Sequence, residues 1–384
     1  MKFLRLQAEG LPLFKEKIDM SFVASQRIMD DDKDKLYPLV SNVYLNLAEA
    51  IIGINASGKT SILKVILLAL KLLGNQPINH IEAKEILGDT PKAIFNMYFY
   101  SSGEICRLET VISTVKKDNF DEKYCITGEK LWTKPAATIK TRKQLYDFEG
   151  IDPVSMRSGQ EEFLPADVSI IIARNKRNDE SLPVASMLSY TNWNVLPVSE
   201  EIPEAVIRFL DPTIEKLYFE SKGNKSLVHL KFKEEEELVL ENSRELENYL
   251  SSGTIKGIVT FTNAMKILKN GGYLLIDEIE NHFNKEIVAT LVRFFMNVRL
   301  NKNGAVLIYT THYPEILDEY DRNDGIFITR NRNGITVENL ASILTRNDIK
   351  KSDAYQSGFL EGTAPTYDAY MELKKNIAAG ISEG

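Results

Sequence analysis

Gly53-Ile54-Asn55-Ala56-Ser57-Gly58-Lys59-Thr60 fits the pattern G-x-x-x-x-G-K-[ST] in full. The spacing suits a loop that wraps a nucleotide's phosphates. Glycines at both ends let the backbone turn tightly, so that successive N–H groups point inward as an anion nest. A helix beginning there adds the positive end of its dipole. Lys59 is long enough to reach the β- and γ-phosphates, and the Thr60 hydroxyl suits Mg2+. Asn55, Ala56, Ser57, Gly58 and Ser61 are the other candidate contacts to the nucleotide. The flanks agree. Ala48-Glu49-Ala50-Ile51-Ile52 reads as a short strand, and residues 61–73 read as a buried helix closed by Gly74.

Further from the loop, Tyr273-Leu274-Leu275-Ile276-Asp277 and Ala305-Val306-Leu307-Ile308-Tyr309-Thr310 are continuous apolar strands. Such strands suit a sheet covered on both faces. The helical periodicity of residues 285–298 between them predicts a βαβ unit. Residues 1–24 and 93–112 each read as a pair of strands around a turn, and residues 168–173 as another buried strand. The acidic runs at 30–34 and 234–237 read as solvated segments.

Composition sets outer limits. With 43% hydrophobic and 26% charged residues among 384, the chain is ordinary for a soluble globular protein. A net charge of −7 argues against a general nucleic-acid coat while leaving room for a local basic patch. Two cysteines without a CxxC, and no signal-like N-terminus, predict a reducing cytoplasm. The longest apolar run is interrupted by Lys64 and Lys71, which predicts no membrane span. Four scattered histidines make a His/Cys zinc site an unpromising expectation.

Four segments join the phosphate loop. Asp277 and Glu278 close an apolar strand. The first carboxylate suits Mg2+, and the second suits orienting or deprotonating an attacking water. His312 follows the next apolar strand, where an imidazole can hydrogen-bond a γ-phosphate. Ser251-Ser252-Gly253 precedes a helical run at 258–268, so its hydroxyls and N–H groups form a second anion site, or simply cap the helix. Glu280-Asn281-His282-Phe283-Asn284 follows the two carboxylates as a polar turn.

In this order and spacing the chain resembles the ABC-type ATPases, in particular the single-domain branch containing the RecF, OLD and SMC-like proteins. In that family these segments are Walker A, signature, Walker B, D-loop and H-loop. The resemblance covers roughly residues 1–112 and 165–330. It implies an α/β P-loop NTPase, a mixed β-sheet flanked by helices with an inserted, mainly helical subdomain. The implied division is an ATPase lobe at 1–112, an insertion at 113–250 returning to the core near 168–173, a second lobe at 251–330 and a tail at 331–384. The resemblance also implies that Lys59, Thr60, Asp277, Glu278 and His312 serve one ATP. Glu278 and His312 would be catalytic, and Thr60 and Asp277 would hold Mg2+. Ser251, Ser252 and Gly253 would reach the γ-phosphate of a nucleotide held by a second copy of the chain.

The signature departs from the transporter form: it reads Leu-Ser-Ser-Gly-Thr, not Leu-Ser-Gly-Gly-Gln. Gln160 and the 93–112 hairpin are the candidates for the Q-loop and the adenine contact. The chain has no heptad arms of the structural-maintenance kind and too few residues after His312 for an OLD nuclease domain. What remains resembles the stand-alone OLD-like ATPases of bacterial anti-phage systems, such as PARIS and abortive-infection loci. That implies a cytoplasmic ATP-driven switch controlling a separately encoded effector such as a nuclease. The alternative is a RecF-like repair ATPase that touches DNA through basic segments such as 140–143 or 174–177.

Overall fold

The computed structural model describes residues 1–115, 123–158, 163–189, 202–222, 225–281, 283–358, 360 and 367–382. Gln160, His282 and residues 361–365 of the tail lie outside them.

The chain opens with β1 (Lys2–Glu9) and β2 (Ile18–Ser21), then the small pair β3 (Leu36–Val40) and β4 (Val43–Asn46). Next come β5 (Ala48–Ile52) and α1 (Lys59–Leu73), on either side of the phosphate loop. β6 (Ala93–Ser101), β7 (Glu104–Val115) and β8 (Lys123–Pro135) follow, then α2 (Arg142–Tyr146) and β9 (Ser155–Arg157). The middle continues through α3 (Ile171–Arg177), β10 (Val184–Ser186), α4 (Glu204–Leu210), β11 (Ile214–Lys222), β12 (Lys225–Phe232) and β13 (Leu238–Leu240). The last third holds α5 (Ser252–Asn270), β14 (Tyr273–Ile276), α6 (Lys285–Met296), β15 (Val306–Thr311), β16 (Ile326–Asn331) and β17 (Ile335–Asn339). It closes with α7 (Leu340–Ile343), α8 (Lys351–Gln356) and α9 (Tyr367–Ser382).

These elements form an α/β fold around two six-stranded sheets. One is antiparallel, in the order β2-β1-β6-β7-β8-β9. Both hairpins expected near the N-terminus and at 93–112 are in it. The other runs β10-β14-β15-β5-β16-β17, parallel except for its last strand. Every residue of β5, β14 and β15 is buried, as their largely apolar runs favour. Alternate residues face opposite layers. Ile51, Leu275 and Ile308 pack in a cluster with α1 and the antiparallel sheet, while Ala50, Leu274 and Leu307 pack with α5 and α6. Glu49 is the exception in β5. It is fully buried, and that burial holds its carboxyl pKa well above the ordinary range.

Two expectations need correction. Residues 168–173 are not a strand, since helix α3 begins at Ile171. Their β-branched residues favour a strand locally, but Glu129 accepts from Ser169 Oγ and the Ile170 N–H, and Ser169 Oγ accepts from the Ile171 N–H. Ile171 and Asn175 are then buried at helical spacing, so tertiary contacts override local preference. The chain instead joins the parallel sheet at β10, beside β14. Among its described residues the inserted segment is also richer in strand than helix, because β8, β9 and the three-stranded sheet β11-β12-β13 outweigh the short helices.

Candidate functional site

The site is built at the carboxyl edge of the parallel sheet, where β5, β14 and β15 end together. β15 lies between the other two, so the tips of β5 and β14 stand two strand spacings apart, about 10 Å. A side chain reaching forward from α1 can span that gap. The Thr60 Oγ1 donates to Asp277 Oδ2 at 2.8 Å, joining positions 217 residues apart in sequence.

The phosphate loop has the backbone its glycines foretell. Gly58 has φ +97 and Ala56 φ 60, both left-handed. At Gly53 a Cβ would stand 2.3 Å from Ser57 Oγ and 2.4 Å from Thr329 Oγ1, so nothing larger fits. Ser57 is buried and hydrogen-bonds Thr329 Oγ1 at 2.8 Å. Asn331 Nδ2 donates to the Ala56 carbonyl at 3.2 Å. The β16–β17 hairpin thus braces the loop from one side. Asn55 lies exposed on the loop, and Ser61 lies half-buried in the first turn of α1.

Lys59 lies along the loop. Its ammonium donates to the carbonyls of Gly53 at 3.0 Å and Ile54 at 3.2 Å, and stands 3.4 Å from His312 Nδ1. Burial lowers its pKa, while Glu278, Glu280 and Asp277 pull the other way. Three carboxylates therefore face one lysine, a charge balance suited to a divalent cation and a polyanion together.

Glu278 sits at φ 48, uncommon for a residue with a side chain. Its Oε1 is 3.7 Å from His312 Nε2, and its Oε2 accepts from Asn281 Nδ2 at 3.1 Å. The His312 backbone N–H donates to Glu280 Oε1 at 2.5 Å. Lys59, Thr60, Asp277, Glu278 and His312 are thereby brought together.

Ser251, Ser252 and Gly253 form the start of α5, and Ser251 Oγ accepts from the Thr254 N–H at 3.0 Å. The capping reading of this serine is correct as far as it goes. α5 has 19 residues and β14 has 4. The turn at Gly271 and Gly272 sends the chain straight back from helix into strand. Ser251 is exposed and Ser252 and Gly253 are half-buried, while residues 254–261 behind them are buried against the rest of the chain.

Sequence reasoning missed Thr329 and Asn331, and quoted Thr310 and Glu280 without giving either a role of its own. For the threonines the one signal was polarity within otherwise apolar strands. Of the two basic segments, Arg174 is committed to Glu104 and Ser101, and Arg142 donates to the Ala24 carbonyl.

No protein-family model matches the chain. No curated protein matches it. Among solved structures it is similar to cbiO1 from Clostridium perfringens, described as part of the ABC transporter complex cbiONQ. The identity is 13%, over 94% of this chain and 96% of that one, with a TM-score of 0.30. A likeness at that score fixes neither substrate nor partner. No helix among the described residues is long and apolar enough to cross a membrane.

Proposed function

We propose that this chain is an ABC-type ATPase that hydrolyses ATP to ADP and phosphate. The supporting observation is the Thr60–Asp277 hydrogen bond across 217 residues, which unites a phosphate-wrapping loop with a metal-type carboxylate. The residues fit Mg2+: the Thr60 hydroxyl and the Asp277 carboxylate are hard oxygen donors held 2.8 Å apart. Thr60 and Asp277 would hold the metal, which would supply neutralisation of phosphate charge. The loop N–H groups, Lys59 and the start of α1 bind the phosphates, with contributions from Asn55, Ala56, Ser57, Gly58 and Ser61. Glu278 orients water and accepts its proton as the new P–O bond forms and the β–γ bridging bond breaks. His312 donates to the γ-phosphate, and Glu280 fixes the backbone that carries it.

Ser251, Ser252 and Gly253, exposed or half-buried at the start of α5, complete the site of a second copy. On this reading residues 1–112 and 251–330 are the ATPase lobes, 113–250 an insertion and 331–384 a tail. The cycle acts as a defence switch on a separately encoded effector. The alternative, a DNA-repair ATPase, is weakened by Arg174 and Arg142 being engaged within the chain.

ATP hydrolysis by the purified chain, absent in Glu278→Gln, is the first test; equal activity in both overturns the assignment. Co-purification of a neighbouring gene product without DNA stimulation supports the switch. DNA stimulation that falls steeply with salt supports repair.

A further inference from the structure

Thr310 is fully buried at the end of β15, between the two strands whose tips make the site. Its hydroxyl makes two contacts. Glu278 N–H donates to Thr310 Oγ1 at 2.6 Å, and Thr310 Oγ1 donates to Asp277 Oδ1 at 2.6 Å. The direction is fixed by chemistry. A backbone N–H only donates, so it takes a lone pair of the hydroxyl, and the hydroxyl proton goes to the carboxylate. The Thr310 carbonyl accepts from the Ile279 N–H at 3.0 Å. One residue thus holds three successive positions of the turn that carries both acidic groups, including Glu278 with its left-handed backbone.

The two oxygens of Asp277 are divided between two threonines. Oδ1 takes the proton of Thr310 from the neighbouring strand, and Oδ2 takes the proton of Thr60 from the phosphate loop. We infer that Thr310 is a positioning residue for the metal site: it anchors Asp277 through Oδ1, so that Oδ2 stays aimed at Thr60 and at the cation they share. This rests on the ATPase reading above. Without the anchor, the carboxylate rotates about its terminal torsion, which is broad for an sp3–sp2 bond. The pair of oxygen donors then loses its alignment, while the phosphate loop keeps its own.

The expected signature separates metal from nucleotide. A hydrogen bond to a charged group has an energy corresponding to about a tenfold effect or more. ATP binding is measured by calorimetry with and without Mg2+, on wild type, Thr310→Val, Thr310→Ser and Thr310→Cys. Thr310→Val keeps the shape and removes the hydroxyl. It is expected to bind ATP without metal as wild type does, and to lose about tenfold of the tightening that Mg2+ gives. Thr310→Ser restores the tightening. Thr310→Cys, a weak donor, resembles the valine variant and replaces it if valine does not fold. Equal Mg2+ tightening in wild type and in the folded hydroxyl-less variant overturns the role of Thr310 and leaves the ATPase reading standing. Absence of ATP binding by wild type itself overturns the ATPase reading instead.

Discussion

Helices α1 and α5 both begin at the carboxyl edge of the parallel sheet, and what holds each N-terminus differs. α1 starts from a loop whose serine is buried, whose glycines allow no larger residue, and whose lysine bonds carbonyls of the same loop. Asp277, His312 and Thr329 reach it from three other strands or their ends. α5 starts from an exposed serine that caps its own helix, with the buried stretch 254–261 following it. On the proposed function, the same dipole serves an anion site completed within one chain at α1 and one completed by a second copy at α5, so that the first governs binding and the second assembly.

The comparison breaks most sharply at Lys59. Lys59→Ala is expected to weaken ATP binding about 100-fold by calorimetry, and retained tight binding would mean that α1 is not the anion site. Next comes the half-site. Glu278→Gln with ATP and Mg2+ is expected to elute as a dimer, and adding Gly253→Asp, which sets a charge against the partner's phosphate, is expected to weaken that dimer tenfold or more without touching ATP affinity. A dimer indifferent to Gly253→Asp removes α5 from assembly.

Two smaller effects sharpen the contrast in stability. Glu49 feeds the first helix from the core. Its folded pKa is raised by burial, so its contribution is intact below the unfolded value near 4.5 and is lost as pH rises towards the folded one. Glu49→Gln mimics the neutral form and is expected to raise Tm by about 3 °C at pH 7, with the gain vanishing below about pH 4.5. A gain that persists at low pH would locate the strain elsewhere. Ser251→Ala removes only a cap, about 1 kcal/mol, and is expected to lower Tm by about 2 °C. A much larger drop would show that the serine does more than cap the helix.

How much of this the sequence disclosed follows from distance along the chain. The phosphate loop, its strand and its helix are contiguous, so eight residues announce them. Asp277, Glu278 and His312 were legible because each follows a short, buried strand whose body is apolar. Thr329 was not: its bond to Ser57 crosses 272 residues, and a threonine inside Ile326–Asn331 carries no mark of its partner. Thr310 stood in a quoted strand end, yet only sheet order shows that it lies between Asp277 and the loop. The strand misread at 168–173 failed for the same reason. The carboxylate that turns Ser169 and Ile170 into a helix start belongs to Glu129 on β8.

Sheet order also sets a timetable. β5 is flanked by β15 and β16, both from the last third of the chain. At roughly 5–20 residues per second, a ribosome needs about 10–40 s to pass from Thr60 to Asp277, 217 residues on. Through that interval β5 has no sheet neighbour, and parallel pairing over such separations is slow even afterwards. The nascent strand is apolar except for Glu49, ionised while the chain is open. A charge in the middle of such a segment discourages copies from pairing with one another. The carboxyl that weakens the finished sheet thus protects the unfinished one.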